Sequence, residues 1–278
     1  MKRIVKVTLI LLGVILITSN CDEDRGFVWM PIGQEKMLGL QLDSTIKASP
    51  SDFPILDRDQ YSQVYAFMDE IFYDILNNSK EPLKYKSEFQ WKLTIIEKDE
   101  LNAFAAPGGY LYFYTGLLKY LDKTSEVAGV LGHEMAHADL RHSARQMQKA
   151  YGLNFAASIL FGDDKSQLEQ ILIDIGSGLA ALQFSRTDEY QSDEFSVKYL
   201  AGTAPVTAGY DCKYDPRGVA GFFQKLEEAG ASEPLEILST HPSGENRVEE
   251  VEAIWESLGS PQGESFETEY AAFKALLP

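Results

Sequence analysis

From Asp57 to Asn78 the apolar positions Tyr61, Val64, Tyr65, Met68, Ile71, Phe72, Ile75 and Leu76 recur at intervals suited to one face of a helix, which predicts an amphipathic helix. The period then changes: Phe89, Trp91, Leu93 and Ile95 alternate with Gln90, Lys92 and Thr94, the pattern of a strand with one buried face. Pro107-Gly108-Gly109 breaks the chain between a short segment, Asn102 to Ala106, and an aromatic strand, Tyr110 to Tyr114, and these two read as a β-hairpin on the core. Such a strand, if left at a sheet edge, can pair with an extended peptide, which makes Tyr110, Leu111 and Tyr112 candidate substrate-binding residues.

Helical patterns dominate the remainder. A short helix opens at Thr115 and ends near Asp122; a long one, capped by Thr124 or Ser125, continues to about Gln148. Another begins at Asp163 or Asp164 with Leu168, Ile171, Leu172, Ile175, Leu179 and Leu182 on its apolar side, and another spans Arg186 to Leu200. Asp215-Pro216 starts a further helix that stops at Gly230, and two more run to about Leu258 and from Phe266 to Leu277. Residues 25–56, with Pro31, Gly33, Gly39, Pro50 and Pro54, read instead as an extended lead-in. The fold class is therefore α+β, mainly helical with a small sheet.

The chemistry concentrates in His133-Glu134-Met135-Ala136-His137. Residues four apart lie one above the other on a helix face, so His133 and His137 can aim two imidazoles at one zinc ion, and Glu134 then sits where it can activate a water. Only 4 histidines occur in 278 residues, so their spacing carries weight. His142 lies nine residues beyond His133; at ~100° per residue that puts it on the opposite side of an unbroken helix, as a surface or packing histidine. Glu189 and Asp193 are also four apart. Taken alone they read as a solvated acidic face, a reading that changes once a histidine pair lacks a third ligand.

Charge and cysteine usage narrow the setting. The formal net charge is −17, and an acidic chain is repelled by phosphate backbones, which argues against nucleic-acid partners. Lys2, Arg3 and Lys6 precede an uncharged, mostly apolar run, Val7 to Ile17, which has signal-peptide length and falls short of a membrane span. Thr18-Ser19-Asn20-Cys21 follows and resembles a lipoprotein cleavage box, so residues 1–20 are expected to be a leader and Cys21 the lipidated first residue, anchoring the protein to a membrane of the bacterial envelope. Removing the leader takes away three positive charges and no negative one. Cys212 is the other cysteine; with Cys21 lipidated, no disulfide forms. No repeat, basic patch, phosphate-binding glycine loop or Gly-x-Ser-x-Gly occurs.

Between Asn102 and Val248 the chain resembles the gluzincin metalloendopeptidases, which include HtpX-type proteases, CAAX-prenyl proteases and periplasmic outer-membrane quality-control proteases. The likeness rests on four ordered motifs: Asn102-Ala103-Phe104-Ala105-x-Pro107-Gly108-Gly109-Tyr110, His133-Glu134-x-x-His137, Ser185-Arg186-x-x-Glu189-x-x-x-Asp193, and Thr240-His241-Pro242 with Arg247. Ser192 stands where that family usually has Ala. The resemblance implies a metallopeptidase domain over residues 57–278, preceded by an N-terminal extension, 21–56. It also implies one zinc ion held by His133, His137 and Glu189, with Asp193 orienting a ligand histidine. His241 would then either stabilise an oxyanion or occupy the fourth metal position as a latch, and Arg247 would serve the oxyanion or orient His241. The implied activity is zinc-dependent hydrolysis of misfolded or stalled envelope proteins bound in extended form. A latent, chaperone-like client-binding protein is the alternative.

Overall fold

The computed structural model describes residues 28–161, 183–228, 237, 241 and 246–278, over which the elements are numbered. The expected leader, the expected lipidation at Cys21, the helix expected between Asp163 and Leu182, and the flanks of His241 lie outside the described residues. The architecture is α+β, mostly helical around one small sheet. Cys212 is a buried free thiol, pushed up to about 12 by burial.

The expected lead-in is in fact a helix, α1, Ile32–Ala48. Its prolines do not interrupt it, because Pro31 precedes its first turn and Pro50 follows its end. Glu35, Leu38, Leu42 and Ile46 fall on one buried face, a helical period masked by the turn-like composition of the longer stretch. The amphipathic helix expected before Asn78 is α2, Ser62–Asn78.

Three strands follow, β1 (Lys92–Ile96), β2 (Ala103–Ala106) and β3 (Tyr110–Tyr114), in the order β1-β3-β2. β3 pairs in parallel with β1 and antiparallel with β2, joined to the latter by the Pro-Gly-Gly turn, where Gly108 and Gly109 take φ of +77° and +91°. The sheet is the middle of three layers. Tyr110, Tyr112 and Tyr114 pack with Leu38, Leu42 and Ile46 of α1, whereas Leu111 and Phe113 join the main core with α2 and the motif helix. β1 was expected to bury one face; with α1 on the far side, Leu93 to Ile96 are all buried. Tyr112 donates its hydroxyl to Asp43 on α1 at 3.0 Å, and Lys92 of β1 reaches the same carboxylate at 3.1 Å.

The short α3 (Thr115–Tyr120) leads into the motif helix α4, Thr124–Asp139, every residue of which is buried. Neither Thr124 nor Ser125 caps it. The Glu126 carboxylate reaches back to the backbone N–H groups of Asp122 and Lys123, at 2.8 and 3.3 Å. α4 packs against α6 (Arg186–Ala201) and α7 (Gly218–Glu228), and α8 (Arg247–Ser257) and α9 (Glu267–Lys274) complete the helical layer. A Cβ at Gly129 would lie 2.1 Å from the Val219 backbone nitrogen, so the start of α7 rests directly on α4.

The motif helix also does not run on to Gln148. It ends at Asp139, whose carboxylate accepts from the backbone N–H groups of Lys84 and Tyr85, both at 2.8 Å, and from the Tyr199 hydroxyl at 3.0 Å. Arg141 then adopts φ +63°, a left-handed conformation that costs a non-glycine residue energy. It is held there by an ion pair to Glu35 at 2.6 Å and a hydrogen bond to the Met30 carbonyl. A new helical stretch, α5 (His142–Phe161, kinked at Gly152), starts at the next residue.

Gly129→Ala is expected to destabilise the fold by about 1–3 kcal/mol, the usual range for overpacking a close contact. Urea unfolding monitored by circular dichroism measures it, and an unchanged midpoint would mean that α7 can retreat from α4.

Candidate active site

Buried on α4, His133 and His137 project one turn apart and bring their Nε2 atoms within 2.9 Å of each other. α6 faces them. Its Ser185 caps the helix by accepting from Asp188 N at 3.1 Å, which sets the first turn so that Glu189 points at the histidines. Glu189 Oε1 is 3.3 Å from His137 Nε2, and its Oε2 is 3.5 Å from His133 Nε2. Gly132 allows this approach, because an added Cβ there would meet Ser196 Oγ at 2.9 Å.

His241 enters from the other side. Its Nδ1 lies 3.1 Å from Glu189 Oε1 and 3.3 Å from His133 Nε2, and its Nε2 is 3.4 Å from Glu134 Oε1. Donor atoms of His133, His137, Glu189 and His241 all fall within 4.8 Å of one another. Glu134 Oε2 and His241 Nε2 are among the buried atoms here that have no hydrogen-bond partner. Buried imidazoles and a carboxylate converging beside unpaired polar atoms fit a divalent ion of zinc's preference. The solvated acidic face that Glu189 and Asp193 suggest on their own is absent; both are buried.

A salt-bridge network backs the cluster. Asp193 Oδ1 is 2.8 Å from His133 Nδ1, so His133 is the histidine it orients. Arg247, at the start of α8, donates Nε to Asp193 Oδ2 at 2.8 Å and Nη2 to Oδ1 at 2.7 Å, while its Nη1 lies 2.9 Å from Glu189 Oε2. Arg247 therefore supports both carboxylates and stacks over the Phe223 ring at 3.8 Å. Electrostatics separate the acids. Burial raises the Glu134 carboxyl above its usual range, as suits a proton acceptor. Burial also opposes ionisation of Glu189, yet His241, His137 and Arg247 together hold it well below that range.

Two residues near the site escaped the reading of the sequence. Phe184 stacks on the His137 ring at 3.9 Å between centroids. His142 is neither on the opposite side nor on the surface: the break at Arg141 returns it to His137, with the two Nδ1 atoms 3.1 Å apart. The clue was the crowding of three of the four histidines into residues 133–142. Conversely, Tyr110, Leu111 and Tyr112 cannot offer a pairing edge, because β3 is the middle strand and has partners on both sides. The strand bordering α4 is β2. The Leu101 carbonyl just before it accepts from Ile237 N at 3.2 Å, and its Ala105 carbonyl accepts from Ser143 Oγ at 2.6 Å.

The profile described as peptidase family M48 matches residues 69–255, well over half of the chain and all of the cluster. The chain belongs to peptidase family M48. It is 32% identical over 161 residues to the mitochondrial metalloendopeptidase OMA1 of Arabidopsis thaliana, covering 56% of this chain and 30% of that protein. It is 26% identical over 230 residues to the beta-barrel assembly-enhancing protease of Escherichia coli K12, covering 79% of this chain and 43% of that protein. A putative beta-barrel assembly-enhancing protease of Vibrio cholerae is 32% identical over 165 residues, 55% of this chain and 32% of that protein. The chain thus spans less than half the length of these relatives. The four-residue donor set of this M48 chain is one that could hold a metal ion. Among its described residues no helix is long and apolar enough to cross a membrane.

Arg247→Ala strands two buried carboxylates, so the metal-free protein is expected to lose about 3–5 kcal/mol of unfolding free energy. Denaturant titration with and without zinc checks this. A loss below about 1 kcal/mol, as for an exposed pair, would contradict the network.

Proposed function

We propose that the protein is an endopeptidase that hydrolyses misfolded or stalled proteins of the bacterial envelope, tethered to a membrane through lipid on Cys21. The observation that carries the catalytic part is the buried set His133, His137 and Glu189 with the unpartnered Glu134 Oε2 beside it. Zinc held by those three residues would polarise a water and the scissile carbonyl. Glu134, kept basic by burial, takes the water's proton and delivers it to the leaving amine. Val130, Val219, Phe222, Phe223 and Ile237 line an apolar pocket beside Glu134, which suits an apolar substrate side chain next to the cleaved bond. The substrate backbone lies along the outer side of β2, the strand bordering α4. The envelope setting draws on the leader expected before Cys21 and on the relatives named for β-barrel assembly.

The resting form is latent in this reading. His241 Nδ1 sits among the ligand atoms, Ile237 bonds to the Leu101 carbonyl just before β2, and the apolar pocket has room for only about 10 Å³, about one water. Substrate entry requires Ile237 and His241 to give way. Client binding without cleavage is the alternative, and the presence of Glu134, a base that pure binding does not use, favours hydrolysis.

Cleavage of an unfolded protein by the full chain tests the reading. Glu134→Gln is expected to lower the rate by at least ~10²-fold; equal rates for mutant and wild type would sink the hydrolytic assignment. His241→Ala is expected to cleave faster than wild type, and a slower variant would reassign His241 from latch to oxyanion group.

A further inference from the structure

We propose that His142 is the positioning residue for the second ligand histidine: its bare Nδ1 accepts the N–H of His137 Nδ1 and thereby keeps His137 Nε2 free to bind the metal. The proposal rests on the zinc reading above and adds a residue to it. Two ring nitrogens 3.1 Å apart need one proton between them, so one ring donates and the other accepts. The far side of His142 decides which. Its Nε2 faces Gln191 Oε1 at 3.1 Å and Asp188 Oδ1 at 3.7 Å, both acceptors, the carboxylate being paired with Arg145. Nε2 therefore carries the proton of a neutral imidazole, and Nδ1 is left as an acceptor. The Ser192 hydroxyl, 3.2 Å from that Nδ1, rotates and can accept or donate, so it does not set the tautomer.

The two ligand histidines are thus held by different chemistry. His133 leans on the Asp193 carboxylate, itself clamped by Arg247, whereas His137 leans on a neutral ring fully shielded from solvent. The left-handed Arg141 makes the second arrangement possible, since a continuous helix would carry His142 away. Backbone strain of this kind persists where surrounding contacts over-determine it, and here Glu35 and Met30 of the N-terminal layer provide those contacts. The orientation of a metal ligand is therefore tied to α1.

Zinc affinity of the purified full chain, measured by competition with a chromophoric chelator, tests the proposal through His142→Leu and His142→Asn. Loss of an outer partner to a ligand histidine typically weakens metal binding by about 10–100-fold, and that is expected for His142→Leu. Asn can present Oδ1 where Nδ1 stood and is expected to recover most of the loss. Wild-type affinity in the Leu variant, or an Asn variant as weak as Leu, overturns the assignment. Should the Leu variant not fold, ring nitrogen NMR of ¹⁵N-histidine-labelled wild type decides, because 4 histidines give four resolvable rings. A proton on His142 Nε2 with bare Nδ1 supports the proposal, and a proton on Nδ1 overturns it. A wild-type chain that binds no zinc would refute the metallopeptidase reading as well, whereas zinc-binding wild type with an unaffected Leu variant refutes His142 alone.

Discussion

The guanidinium of Arg247 is the interaction on which the site depends. Glu189 and Asp193 are removed from water on one helix face, and an isolated buried carboxylate would cost several kcal/mol. Bidentate contact with Asp193 and a third contact to Glu189 compensate both at once. This requirement fixes the N-terminus of α8 against α6, while the close contact at Gly132 fixes α6 against α4. Three helices far apart in sequence are thus held to the accuracy a metal site demands.

How much of this is legible beforehand depends on how local the cause is. His133, Glu134 and His137 follow from helical spacing alone, and Glu189 with Asp193 shares that spacing. His241 and Arg247 sit more than fifty residues from Glu189 and Asp193, and no periodicity joins them; only the resemblance to a family brought them in. The stretch matched by the family model contains all four residues of the donor cluster.

The misreadings share a physical origin in contacts made at long range. Projecting His142 onto a continuous helix ignored a break imposed by Glu35 and Met30, which lie more than a hundred residues earlier. The edge assigned to Tyr110–Tyr114 overlooked that this strand is apolar at every position, the pattern of a strand covered on both faces. Strand order itself is not written in alternation. For α1, averaging over 25–56 hid a helical face between two prolines that serve as its punctuation.

α1 lies outside residues 69–255, which carry the family likeness, yet it is the back wall of the sheet. Without it Tyr110, Tyr112, Tyr114 and Phe104 would form a patch of bare rings, and the sheet would present to other molecules the kind of surface that drives self-association. The segment that defines the family is therefore smaller than the segment that folds. A recombinant fragment trimmed to the family boundaries would keep the four metal-site side chains and lose the tether that turns the chain at Arg141.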